Sequence, residues 1–190
     1  MILALRLASA FLVLAPWHAA SGAIGVETER RGDAIVIHAS ANLDAGVETA
    51  WQVLTDYGGY VRFIPDLQVS RVISRRGATV IVEQSGTARL WLLRIPLEIT
   101  FEISELPRHS LRARAVSGNL RNLESHYLLT PTSSGTRLEY TGHVVPGFHL
   151  FARTEEYAVG ENVTRQFRAL VDEIERRGAP AGNGTVNGAR

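Results

Sequence analysis

Residues 67 to 146 carry no helical periodicity, and a single long amphipathic helix follows them. Six strand-like segments fill this stretch: Leu67 to Arg76, Thr79 to Trp91, Ile95 to Leu106, Ser110 to Ser117, Arg121 to Thr130 and Thr136 to Val145. Turn signals separate them at Arg76-Gly77, Pro107-Arg108, Ser117-Gly118-Asn119 and Ser133-Ser134-Gly135. Short turns between successive strands predict an antiparallel meander. The segments are long for strands, which points to strong curvature, with Gly86 and Gly142 as candidate bulges or bends. From Thr154 to Arg177, Val159, Val163, Phe167, Leu170, Val171 and Ile174 share one helical stripe, and Gly178 is the stop. A sheet with one apolar face must have that face covered, and this helix is the only element large enough. A bent sheet closed by one helix leaves a hollow suited to an apolar ligand.

Upstream, Asp33 to Leu43 alternates with strand period. Asp44 then supplies an expected N-cap for helical spacing through Val47, Ala50, Trp51 and Leu54. Tyr60 to Ile64 adds a short helical turn that Pro65 ends.

Composition narrows the chemistry. The 190-residue chain suits one domain, and it contains no Cys and no Lys, so all 20 basic residues are Arg. Disulfides, thiolate metal sites, cysteine nucleophiles and lysine Schiff bases are excluded. Basic residues nearly balance the 19 acidic ones, which argues against nucleic acid as a partner. Arg6, the apolar run from Leu7 to Trp17 and the small residues 19–23 have the three zones of a secretory signal peptide. Residues 1–23 are therefore expected to be a signal peptide and 178–190 a disordered tail. The Arg-only, Ala-rich chain is expected to be exported, to the bacterial periplasm.

Two segments carry a resemblance to a known family. AWQVLTDYGGYVRFIP at 50–65 and SGNLRNLESHYLLTP at 117–131, followed by GTRLEY at 135–140, resemble the START-like superfamily, which includes polyketide cyclases/dehydrases and coenzyme-Q-binding proteins. The resemblance spans about residues 33–177. It implies an α+β helix-grip fold, with a curved antiparallel sheet of about seven strands wrapped around a long C-terminal helix. It is specific for fold and poor for function, since none of the shared motif residues is a universal catalyst. Many members have Trp where this chain has Tyr127, and often Phe where it has Leu120 and Leu123, so a less aromatic pocket is expected.

The candidate ligand-binding residues are Phe63, Trp91, Leu120, Tyr140, Phe148 and Phe167. Strand parity puts Leu138, Tyr140, Gly142 and Val144 inward on the last strand, and Leu123, Ser125, Tyr127 and Leu129 inward on the one before. Tyr140 can present its hydroxyl to a ligand carbonyl, with Gly142 leaving space beside it. Arg89, His126 and His143 are polar candidates, although parity turns His126 away from the interior. Arg112 and Arg114 share a face and are expected to pair with acids across strands, such as Glu98, Glu102 or Glu83. The histidines form no metal-binding motif, and no nucleotide fingerprint appears; no metal and no cofactor is expected. The favoured function is binding or transport of a lipid, quinone or other apolar small molecule, with transient membrane contact. The alternatives are a cyclase or dehydratase acting on a polyketide-like substrate, and a module that grips a protein partner.

Overall fold

The computed structural model describes residues 24–90, 93–146 and 152–179. In chain order its elements are β1 (Ile24–Arg31), β2 (Ala34–Leu43), α1 (Val47–Leu54) and a short 3-10 helix (Tyr57–Arg62). Then come β3 (Leu67–Arg76), β4 (Thr79–Leu90), β5 (Leu93–Leu106), β6 (Ser110–Gly118), β7 (Asn122–Thr132), β8 (Gly135–Val145) and α2 (Ala152–Gly178). The strands form one antiparallel sheet in the order β1-β2-β8-β7-β6-β5-β4-β3. The meander from β3 to β8 follows the turns read from the sequence, and the sheet closes on β2 by pairing Ala39 with Tyr140.

The sheet has one strand more than the sequence periodicity shows. β1 pairs along its whole length with β2, from Ile24–Ala41 to Arg31–Ala34, across a turn with Gly32 at φ 63°. Its residues alternate between half-buried and exposed, as on an edge strand with only one face against protein. Its charged run, Glu27 to Arg31, hides that pattern in the sequence. Asp44 is also not a helix cap. Gly46 holds the N-cap position without a side-chain bond, and the Asp44 N–H instead donates to the Glu175 carboxylate at 2.8 Å. Asp44 therefore ties the start of the α1 segment to the end of α2.

The inner face of the sheet, α1 and the second half of α2 share one core. Ile35, Ile37, Leu138 and Leu129 of the sheet meet Phe167, Leu170, Val171 and Ile174 of α2, all nearly inaccessible. The first half of α2 is packed less tightly, with Val159 and Val163 only partly buried. Charge fixes the far end of the helix. Arg177 donates to Asp56 (2.8 Å) and to Glu173 (2.7 Å), and its guanidinium lies 5.9 Å from the Phe63 ring centroid. Glu173 also accepts two bonds from Arg176. Among the described residues no helix is long and apolar enough to cross a membrane.

Hydrogen bonds from Arg176 and Arg177 hold the Glu173 carboxyl at about 2, below its usual 4.5, against the opposing effect of burial. A carboxyl lowered in the folded state stabilises above its unfolded pKa and loses that contribution as pH falls through the folded one. Glu173→Gln is therefore expected to melt below the unsubstituted chain at pH 6, and the difference should close between pH 4.5 and 2. Thermal melts across that range measure it.

Candidate functional site

A cavity of about 270 Å³ lies between the first half of α2 and the inner face of β4 to β8. Small side chains make the space. Gly86 and Ala88 of β4, Ala113 of β6 and Ser125 of β7 line it where larger residues would have met the helix. Ile99 and Phe101 of β5, Leu123 of β7, Val144 of β8 and Val159 and Val163 of α2 make the apolar walls.

Two pairs of tyrosines face this space in different states. At the closed end, Tyr57 donates to Glu105 (2.8 Å), which Arg75 also binds (2.7 Å), and Tyr60 donates to the Leu54 carbonyl (2.6 Å). Ser70 donates to the Tyr57 carbonyl (2.6 Å) and accepts from Gln84 (3.2 Å). These polar atoms are satisfied from within. Tyr127 and Tyr140 are cross-strand partners whose ring centroids lie 4.8 Å apart. Both line the cavity, and neither hydroxyl has a hydrogen-bond partner among the described residues. Burial pushes the Tyr140 phenol up to about 12. Burial raises Tyr127 well above its ordinary value too, with Tyr140 adding to the effect. Both are neutral donors at physiological pH.

Gly142 sets the pose of Tyr140. A Cβ at position 142 would lie 2.6 Å from the Tyr140 hydroxyl, so the phenol reclines along β8 over the glycine. Gly142 pairs with Ser125 on β7. The Tyr140 hydroxyl therefore sits over the Gly142–Ser125 pair, on the face where the Ser125 side chain projects.

The more exposed end of the cavity lies beside Arg89, Leu120 and Asn162. Here β4 outruns β3: the pairing ends at Leu67–Gly86, while β4 continues to Leu90. Other groups complete the free edge. Thr87 N–H donates to the Asp66 carbonyl at 2.9 Å. Arg89 N–H donates to Asn162 Oδ1 (3.2 Å), and Asn162 Nδ2 donates to the Arg89 carbonyl (2.8 Å), so this amide on α2 acts as one residue of a missing strand. The Arg89 side chain binds Asp66 at 2.6 Å, and Arg165 of α2 binds both Asp66 (3.3 Å) and Asn162 (2.7 Å). Asp66 holds this position with φ 64°, and Gly86 lets its carbonyl approach β4.

The residues singled out from sequence fall in different places. Tyr140, Leu120 and Arg89 line the cavity. Arg89 is ion-paired with Asp66, which Arg165 also binds, and its side chain is about half exposed at 52%. Phe167 is buried in the core below the cavity, 6.4 Å from the Tyr140 ring, and is not part of the lining. Phe63 lies outside the lining as well, edge-on to Tyr60 and under Arg177. Trp91 and Phe148 lie outside the described residues. His126 and His143 are on the outer face, in a shallow dish with Arg112, Arg114, Glu102 and Glu124. Burial, then Arg112 and His109, lower the His126 pKa. Arg114 pairs with Glu102 and Arg71 with Glu83, as cross-strand charges do.

Sequence reasoning passed over Asp66, Asn162 and the role of Tyr127. Tyr127 had a usable signal. A turn at Ser133-Ser134 sets the β7–β8 register, and that register puts Tyr127 opposite Tyr140. Asn162 offered none, because its partner is a backbone edge that exists only where β3 stops short.

The sequence matches the family described as polyketide cyclase / dehydrase and lipid transport over residues 34–177. No curated protein matches the chain in sequence. Among solved structures, the Zhui aromatase/cyclase from a Streptomyces species is similar, with 16% identity, a TM-score of 0.67, and coverage of 78% of this chain and 98% of that one. A STAR-related lipid transfer protein from Xanthomonas axonopodis shares 16% identity, with a TM-score of 0.66 and coverage of 80% and 93%. A START superfamily protein from Mycobacterium smegmatis shares 12% identity, with a TM-score of 0.63 and coverage of 74% and 97%. At these identities the likeness is one of fold.

Replacing the Asn162 amide leaves the β4 edge open. Asn162→Ala is expected to cost about 1–2 kcal/mol of stability and to speed amide exchange at Arg89. Denaturant melts and hydrogen exchange measure the two effects.

Proposed function

The chain belongs to the polyketide cyclase / dehydrase and lipid transport family, and from that premise we propose that it binds a small apolar molecule in the cavity beneath α2. The carrying observation is the cavity itself, about 270 Å³ of apolar-walled space that four small residues on three strands keep open. Close-packed interiors rarely leave such a volume. Burying ligand carbon against these walls supplies affinity, and the few polar groups set orientation. The apolar leader at 7–17 supports an exported protein that acts in the bacterial periplasm.

A second reading is an aromatase/cyclase-type activity on a polyketide-like substrate. The fold likeness to the Zhui aromatase/cyclase favours it, as do two protonated phenols placed to stabilise a developing enolate. The state of the acids in the cavity favours binding. Asp66 is held by Arg89 and Arg165, Glu155 is held by Arg30, and His126 and His143 are on the opposite face of the sheet.

Filling the cavity tests the reading. Ala113→Leu is expected to fold with unchanged or slightly higher stability, because its side chain enters existing space. Native mass spectrometry of the gently purified chain should show a bound small molecule, and the variant should have lost it. Equal occupancy in both would place the ligand elsewhere.

A further inference from the structure

The two edges of the sheet are built differently. β1 and β3 are its outermost strands, each paired on one side only. β1 alternates half-buried and exposed residues and carries both signs of charge, Glu27 and Glu29 with Arg30 and Arg31. At the β3 edge the pattern changes. Seven large apolar side chains stand exposed among the described residues, and none belongs to β1. Four of the seven lie at the other edge: Val69, Val72 and Ile73 of β3, and Val61 of the 3-10 helix that packs beside it. Exposed aliphatics scattered singly need no explanation. Gathered at one edge, they make that edge the apolar one.

The backbone there is also unpaired. No described residue forms a backbone hydrogen bond with the outer side of β3. A free row of N–H and C=O groups pairs readily with another extended chain, and natural sheets protect such edges with bulges or charge. β3 has both, in a particular arrangement. Its register shifts at Gln68 and at Ile73, and between them Val69 to Val72 pairs without a break with Ser85 to Val82 of β4. Its charges are all of one sign: Arg71, Arg75 and Arg76, with no acid from Leu67 to Arg76. Arg71 is ion-paired with Glu83 (2.9 Å) and Arg75 with Glu105 (2.7 Å), yet their side chains remain 64% and 45% exposed. Arg76 is exposed and has no ion pair among the described residues. Charge of a single sign selects between partners. A second β3 strand would set three arginines from each copy along one seam with no acid on either strand, which is repulsive. A strand bearing acids among apolar residues would meet opposite charge and exposed aliphatic surface.

We infer that the β3 edge is a docking site for an extended segment of a partner protein rich in acidic and apolar residues, which adds as a further strand beside Val69 to Val72. Main-chain bonds to the free edge supply affinity, and side chains supply selection. The acids of the segment answer Arg71, Arg75 and Arg76, and its apolar residues cover Val69, Val72 and Ile73. The reading of the cavity does not depend on this site.

A short fluorescein-labelled peptide of alternating glutamate and valine tests it by anisotropy titration against the full chain. Two controls accompany it. One replaces glutamate with lysine. The other keeps the glutamate–valine sequence with all its backbone amides N-methylated, which preserves the side chains and blocks strand addition. The glutamate peptide is expected to bind about tenfold or more tighter than either control. Its advantage over the lysine peptide should shrink as salt is added. Hydrogen exchange should show new protection at β3 amides and none at β1. Arg76→Glu, an exposed substitution with an unchanged melt, should weaken the glutamate peptide about threefold to fivefold; should that variant unfold, the two control peptides on the unsubstituted chain decide the matter. Absence of binding by the glutamate peptide would overturn the inference. So would equal binding of the lysine or the N-methylated peptide, or protection that falls outside β3. A concentration-dependent dimer in sedimentation, protected at β3, would overturn it as well by making a second copy the occupant. None of these results bears on occupancy of the cavity, which native mass spectrometry reads separately.

Discussion

The structure depends on how α2 is held over the sheet. Its second half is packed: Phe167, Leu170, Val171 and Ile174 leave no room against β2, β8 and α1, and Arg177 and Glu173 fix the end. Its first half is held by polar bonds, as Asn162 completes the β4 edge and Arg165 reaches Asp66. A helix fixed at both places cannot settle onto the sheet between them. Beneath that span the sheet presents Gly86, Ala88, Ala113 and Ser125, too small to reach it. The hollow is thus the result of two anchors and four small residues, and collapse would require giving up hydrogen bonds at the β4 edge.

Much of this was legible in the sequence. The strand boundaries from β3 to β8 follow from turn chemistry and alternation, because a meander needs only local signals. The inward set on β8, from Leu138 to Val144, is the set parity selects. Gly142 does leave space beside Tyr140, and the phenol occupies it. The failures share a cause. β1 is recognisable only through β2, since its alternation is written in charged and small residues. Phe63 and Phe167 lie outside the cavity lining, because periodicity does not say whether a buried ring faces a hollow or a neighbour. Asp66 and Asn162 act through backbone groups, which composition and periodicity do not register.

The absence of lysine takes on a structural meaning. The ion pairs that tie α2 to the rest of the fold are made by arginine: Arg30 to Glu155, Arg165 to Asp66, and Arg177 to Asp56. A guanidinium offers a planar fork of donors and stays charged at any pH a protein meets. Arg177 uses that fork to hold two carboxylates on different elements, which the single ammonium of a lysine does less well. The anchors of the helix are consequently insensitive to mild alkali, and their weak side is acid.

The two functional readings meet at Tyr127 and Tyr140. Donors that hold a ground-state carbonyl hold an enolate oxygen more strongly, so the same corner can serve binding or stabilise a transition state. Turnover also needs a base within reach of the proton to be removed. Both described carboxylates of the cavity, Asp66 and Glu155, are bound by arginine, and releasing Asp66 would loosen the seam that keeps the cavity open. In this chain the acids of the cavity hold its walls in place, and the Tyr127 and Tyr140 hydroxyls make no hydrogen bond to another described residue.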